Sequence, residues 1–431
     1  MRLYLLLPTF LLISCLSASG YSQGTYFIKC GVFYNSEQAI FQEDMVIKVS
    51  GEKIVGLLHP VDITPNDSLI DWSDYTVLPG LIDCHTHFLS AEYFDSKTGK
   101  LEPDTGLLLH PAQRIQMGED NLRSYLHVGF TTIRDLGNSG KHLAATFQKP
   151  NTEGNISRPR IFNSGRGIAY RRGQFAKEYA FLDSQEYWVI QDSSEALQAV
   201  NALIRESVNL IKVYPDNAPN RDFMPPDLLS YIVTLAHKNA LRVTAHAIYK
   251  KSVRLAIDAG VDCIEHIYDF DEDLLERIHE KGIWVVPTYE DKYSGKIILR
   301  HLPGFKKRLL MRLLMPATLR DNRRKIQSLY AHHLKICSGS DAYLTDETDY
   351  IDRGAFALSS LFSILESGIP TSQALQANTY HAGILLGQRD RLGVLKTGAY
   401  ADIIAIKGDL RKSTRILRSS KHVIIGGKLV P

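Results

Sequence analysis

Two hydrophobic periodicities divide the chain. Residues 24–77 and those after Tyr380 carry short β-branched runs punctuated by Gly and Pro. Examples are Tyr26-Phe27-Ile28 and Met45-Val46-Ile47-Lys48-Val49 before the middle of the chain, and Ile403-Ile404-Ala405-Ile406 and Val423-Ile424-Ile425 after it. Runs of this kind predict strands of a small antiparallel sheet. Between them, apolar strand-like runs alternate with segments of helical period. Strands are predicted at 77–88, 129–135, 159–164, 209–214, 242–246, 261–266, 282–288 and 334–341. Helices are predicted at 120–127, 193–208 with Ser193 as cap, 226–239, 252–259 and 272–281. Eight such βα units over roughly 300 residues are what a (β/α)8 TIM barrel requires. No Gly-rich phosphate fingerprint follows the first strand, which argues against an open doubly wound sheet. The outer β segments are most simply paired in one small β-sandwich domain, with the barrel inserted between its halves. This divides the chain at 21–77, 78–385 and 386–431.

The first twenty residues stand apart from this pattern. Arg2 precedes an apolar run, 3–13, too short for a stable membrane span. Ala18-Ser19-Gly20 supplies the small residues of a cleavage site, so 1–20 reads as a signal peptide. Leu12-Ile13-Ser14-Cys15 also resembles a bacterial lipobox, in which Cys15 would carry a lipid anchor. Both readings place the mature protein outside the cytoplasm, periplasmic or anchored at the outer membrane of a bacterium.

Composition narrows the function classes. With 44% hydrophobic and 23% charged residues, the 431-residue chain has ordinary globular make-up, and a net charge of +3 argues against nucleic acid as a partner. Cys30, Cys84, Cys263 and Cys337 match no zinc-finger spacing and read as buried thiols. Residues 292–325 are rich in Lys and Arg, with Leu and Ile between them. They predict an amphipathic helical insertion over the seventh unit, with a lid or a face on an anionic membrane as the second reading.

The chemistry gathers where apolar strands end in polar residues. His85 and His87 close the first strand, and i,i+2 spacing aims both imidazoles at one side. Neutral imidazole is the commonest metal ligand, although a lone His-x-His pair is common by chance. Lys212 interrupts the apolar fourth strand, His246 ends the fifth, His266 the sixth and Asp341 the eighth. Singly, each has a bland explanation: a lysine snorkelling to water, a satisfied core histidine, a helix cap. Together they converge on the C-terminal face of a barrel, where active sites lie. A buried lysine is costly unless neutral or paired. Its neutral amine can react with carbon dioxide to give a carbamate that behaves as a bridging carboxylate.

The stretch Pro79-Gly80-Leu81-Ile82-Asp83-Cys84-His85-Thr86-His87 resembles the signature of the amidohydrolase superfamily. Gly129 to Asp135, Leu210-Ile211-Lys212-Val213, Thr244-Ala245-His246-Ala247, Ile264-Glu265-His266 and Gly339-Ser340-Asp341-Ala342 are similar to later blocks of its imidazolonepropionase-like and prolidase-like branch. The resemblance implies two divalent metals, zinc before manganese or iron. His85, His87 and Asp341 would hold one, His246 and His266 the other, and a carbamylated Lys212 would bridge them. It further implies a metal-bridging hydroxide as nucleophile, with Asp341 as general acid and base.

The chain departs from that branch after the third strand. Ser164-Gly165-Arg166-Gly167-Ile168-Ala169-Tyr170-Arg171-Arg172 lacks the histidine relatives carry there. Arg166, Arg171 and Arg172 could instead grip a substrate carboxylate, with Tyr170 or Tyr214 adding a hydroxyl; a solvated basic loop is the alternative. The expected function is hydrolysis of an amide C–N bond in a short peptide of Xaa-Pro dipeptidase or carboxypeptidase type, or in an N-acyl amino acid. Cyclic-amide hydrolysis, deamination and a non-catalytic binding barrel stay open. A homo-oligomer is the expected assembly.

Overall fold

The computed structural model describes residues 24–430, except 65–67, 95–100, 104–109, 138–139, 142, 148–157, 176, 218–221, 302–303 and 345–351. Residues 1–20, with the expected signal peptide and Cys15, lie outside the described residues. No helix among the described residues is long and apolar enough to cross a membrane.

The two ends of the chain share one eight-stranded sheet. Ile403–Lys407 pairs antiparallel with Leu69–Pro79 on one side and with Lys421–Ile425 on the other. The sheet continues through Thr25–Asn35, Met45–Ser50 and Lys53–Leu58. It is not wholly antiparallel as expected, because Thr25–Asn35 runs parallel to Leu69–Pro79. Ile28, Phe33, Ile47, Ile54, Val77, Ile403 and Ile424 bury a common apolar core. Leu69–Pro79 then leads across Gly80 into the first barrel strand, so the β domain is fused to the barrel at the start of the His-x-His run.

The barrel strands run in parallel order. Leu81–Thr86 pairs with Phe130–Asp135, and that strand with Arg160–Asn163. Leu210–Tyr214, Arg242–Ala247, Cys263–His266, Trp284–Val286 and Lys335–Ile336 follow as neighbours. The circle closes through Cys84 N–H to the Ser338 carbonyl (3.0 Å) and Asp341 N–H to the His85 carbonyl (2.8 Å). Asp83 reinforces this seam: its Oδ1 accepts from the backbone N–H of both His85 (3.1 Å) and Ser340 (3.0 Å).

The third unit differs from expectation. The segment read as a loop holds a further strand, Gly167–Tyr170, which pairs with both Tyr187–Ile190 and Leu210–Tyr214. The chain turns between the two pieces at Gly165, whose φ of +61° is open to glycine at no steric cost. Ser193 is not the helix cap; Asp192 is, accepting from the N–H groups of Ser194 and Glu195 at 2.9 Å each. A carboxylate two and three residues ahead satisfies amides that Ser193, already inside the first turn, cannot reach. Pro111–His127 starts earlier than its periodicity suggested, with Pro at the first helical position.

That helix packs on Arg353–Glu366, and the contact is tight at one point. A Cβ at Gly354 would fall onto the carbonyl of Ser124, a backbone atom that cannot step aside. Gly354→Ala is therefore expected to destabilise the fold by about 1–3 kcal/mol, as overpacking does. Denaturant unfolding measures this, and an unchanged midpoint would contradict the close crossing.

Candidate active site

Six polar side chains from five strands meet at the C-terminal end of the barrel. His85 and His87 point into it from the first strand, as the two-residue repeat requires. Their Nε2 atoms lie 3.2 Å apart. Asp341 Oδ1 is 3.5 Å from the first and 3.2 Å from the second. The other ring nitrogens are engaged: His85 Nδ1 lies 2.7 Å from the Glu265 carboxylate, His87 Nδ1 3.1 Å from the Gly137 carbonyl. Each contact is to an acceptor, so each Nδ1 carries the hydrogen. In neutral rings the Nε2 lone pairs then face each other and a carboxylate oxygen. Three acceptors converge with no donor between them, an arrangement relieved by a proton or a cation.

The electrostatics agree. Burial pushes His85 down to about 4, with the nearby Lys212 ammonium contributing in the same direction. His87 is also buried, but the hydrogen bond and charge of Asp341 hold it above its ordinary value. Burial alone would raise Asp341; the surrounding imidazoles, His85 first, hold it well below the usual carboxylate range. Two imidazoles and a carboxylate within 4.8 Å of one another form the donor set of a divalent transition metal.

The second group lies against the first. The His266 ring is centred 4.9 Å from that of His85 and 4.5 Å from that of His246. Its Nδ1 is 2.9 Å from Thr288 Oγ1 and 3.7 Å from Asp341 Oδ2, so Asp341 addresses both groups. His246 Nε2 sits 3.3 Å from both Asp216 Oδ1 and Gln174 Nε2. Lys212 is fully buried on the strand beside His246, paired in register with Thr244, two residues before that histidine. Burial lowers its ammonium to about 8, against the pull of Glu265 and Asp341.

Strand alternation would send Glu265 and His266 to opposite faces. The register places Glu265 beside His246, hence inward. His266 and Ile267 then take φ of +72° and +47°, and this left-handed turn brings His266 to the same mouth. Asp341 has φ of +51°. Non-glycine residues in this region cost on the order of 1–3 kcal/mol each and cluster at functional sites.

The four proposed substrate contacts separate. Tyr214 lies at the site, its ring centred 5.3 Å from that of His246. Arg166 does not: its guanidinium stacks over Trp188 at 4.0 Å and donates to the Ser184 carbonyl. Tyr170 packs against the main core cluster, and Arg171 is exposed with its guanidinium 5.0 Å from the Tyr170 ring. The neighbouring Arg172 pairs with Asp222. In the unforeseen strand Gly167–Tyr170, Ala169 is in register with Tyr214, so Tyr170 faces the other way, toward the outer core. Tyr268 and Tyr343, in contrast, reach the site and flank His266 and His87, with ring centroids at 5.5 and 6.5 Å.

Sequence reasoning also missed the residues that hold the histidines. Glu265 binds His85 and Arg134 (2.7 Å each) and accepts from Thr244, all out of contact with water. Asp216 and Gln174 each approach His246 Nε2 at 3.3 Å. The one available signal for Glu265 and Asp216 was a carboxylate inside or just beyond an apolar strand.

The family model described as the amidohydrolase family matches residues 76–430. Ochratoxinase of Aspergillus niger is 28% identical over 385 residues, spanning 82% of this chain and 75% of that protein. Among solved structures, a Xaa-Pro dipeptidase with methionine bound in its active site superposes with a TM-score of 0.78 at 24% identity, covering 94% of this chain and all of that one (100%). The A. niger ochratoxinase structure gives 0.75 at 22% identity, with 94% and 95% covered. At these identities the structural likeness establishes the fold.

Proposed function

Because the chain belongs to the amidohydrolase family, and so is a metal-binding hydrolase of carbon–nitrogen bonds, we propose that it cleaves the amide bond of a short peptide or an N-acyl amino acid at a binuclear centre. The observation that carries this reading is the convergence of the His85 and His87 lone pairs on Asp341. His85, His87 and Asp341 would hold one divalent ion, His246 and His266 the other, with zinc the best match to imidazole and carboxylate. Lys212 as a carbamate would be shared between them. When bound, the ions supply Lewis acidity toward water and the scissile carbonyl.

The side chains do the rest. Asp341, ionised and within reach of both groups, takes the proton of the attacking water on a carboxylate oxygen and returns it to the leaving nitrogen. Glu265 fixes the tautomer and ring plane of His85, and Asp216 and Gln174 together flank Nε2 of His246. Tyr214, Tyr268 and Tyr343 supply an aromatic wall. Arg166 is held by Trp188 and Ser184 and Arg172 by Asp222, so neither supports carboxylate capture. The preference for a peptide-like substrate therefore rests on the dipeptidase among the structural neighbours. Export, by way of the 1–20 leader, belongs to the same reading.

Metal-loaded protein assayed against dipeptides, N-acyl amino acids and lactams tests the substrate class; turnover of lactams alone would overturn it. The carbamate has its own test. Only the neutral amine of Lys212 reacts with carbon dioxide, and with the group near 8 the neutral fraction rises roughly twentyfold between pH 6.5 and 8.5. At a fixed concentration of dissolved carbon dioxide, reconstitution of metal-free protein with zinc should accordingly be faster at the higher pH. A rate independent of both pH and carbon dioxide would remove Lys212 from the bridge.

A further inference from the structure

The helical hairpin after the seventh barrel strand carries a surface that the reaction does not use. Lys292–His301 and Phe305–Ala331 cross closely at Gly295, where a Cβ would lie 2.8 Å from the Met315 sulfur. They enclose an open cleft of about 1080 Å³. Its walls combine Leu299, Met315 and Leu319 with a cationic set: Lys292, Lys296, Arg308, Arg312 and Arg320. None of these five forms an ion pair with a carboxylate among the described residues, whereas Arg323, which also lines the cleft, pairs with Glu366, and Lys325 close by with Asp321.

Beside the cleft the long helix exposes a broad apolar stripe. Phe305 is 73% exposed, Leu313 68% and Leu310 56%, and Leu309 and Leu314 are nearly as open. Positions 305, 309 and 313 follow at i+4, with 310 and 314 beside them. Arg308, Arg312 and Arg320 lie on a parallel i+4 row along one flank. Apolar residues on one face with Lys and Arg at its border are the make-up of a helix that lies in a lipid–water interface. The aliphatic stems of the border cations pack on the apolar layer while their heads reach outward.

We propose that this hairpin docks the protein on an anionic lipid bilayer. The leucine stripe enters the acyl boundary and the unpaired cations of the cleft sit at the acidic headgroups. Charge selects this occupant over a second copy of the chain: a two-fold pairing would set the same five unpaired cations against their own images. Among the described residues no helix spans a membrane, so the association is peripheral. Because the surface is separate from the metal ligands, it stands or falls independently of the reaction.

The test uses the full chain carrying Cys15→Ser, so that no acyl group can form there. Vesicles of phosphatidylcholine alone are compared with vesicles containing phosphatidylglycerol. The protein should co-sediment with the latter, less so as salt rises. Arg308→Glu with Arg312→Glu should weaken partitioning at least about 25-fold, taking about fivefold for each cation lost near an anionic surface. Leu310→Ser with Leu313→Ser should abolish it, with the circular-dichroism melting curve unchanged in both. If either pair unfolds, Arg320→Glu and Leu309→Ser carry the same comparison. No sedimentation, equal binding to both vesicles, or unaltered binding by the variants overturns the proposal. So does a dimer in solution that the leucine substitutions dissolve, which would make the surface a self-interface.

Discussion

Asp341→Asn is expected to lower kcat about 10²–10⁴-fold, the range a positioned proton-transfer group contributes. The amide keeps the shape and an oxygen toward His85 and His87 but accepts no proton. Metal content measured alongside separates the two roles of this residue. Retained metal with lost turnover isolates proton transfer; lost metal with lost turnover shows that the carboxylate charge holds the ion. The steady-state split is informative too, because a group acting only on protons in flight should leave KM nearly unchanged. Full activity in the variant would remove Asp341 from the reaction.

Arg134→Ala is expected to cost about 3–5 kcal/mol of stability, the penalty for stripping the partner from a buried charge. Glu265 is wholly buried, and Arg134, itself wholly buried, is its only fully charged hydrogen-bond partner among the described residues. The Arg134 guanidinium, acting against the burial that would raise it, helps hold the Glu265 carboxyl well below its ordinary range. Without that cation the carboxyl protonates or the barrel floor loosens, and His85 loses the acceptor that fixes its tautomer. Metal affinity should fall with stability, by about 10–100-fold where an outer partner of a ligating histidine is lost. The double variant Arg134→Met with Glu265→Gln should recover much of the stability but not the affinity. Denaturant unfolding of metal-free protein and metal titration read the two quantities separately. A cost below about 1 kcal/mol would mean that Thr244, Cys263 and His85 together satisfy Glu265.

Both predictions turn on residues of unequal legibility. His85 and His87 are readable because a period of two is a property of any strand, and an apolar run ending in two like ligands needs no neighbour to interpret it. Lys212 is readable because a cation inside an apolar strand violates burial preferences. Glu265 carries the same kind of violation, yet its adjacency to His266 masks it, since alternation assigns the two residues to opposite faces. The left-handed turn at His266 and Ile267 that defeats alternation leaves no mark in the sequence: neither residue is a glycine or asparagine. Arg166 misleads for the converse reason. Its charge is visible, but the Trp188 ring and Ser184 carbonyl that hold it are brought beside it only by the fold.

The sequence by itself therefore determined the parts whose cause is local. These are the strand and helix periods, the order of the eight units and the six polar residues that end or interrupt apolar runs. Tertiary structure decided what depends on pairing between distant segments. It set the mixed sheet that joins the two ends of the chain, the extra strand in the third unit and the closing seam at Asp83 and Ser340. It also set the buried Arg134–Glu265 pair beneath His85. A charge can be read from one residue, but whether it is satisfied depends on which other residue the fold places within hydrogen-bonding distance, and no local pattern encodes that distance.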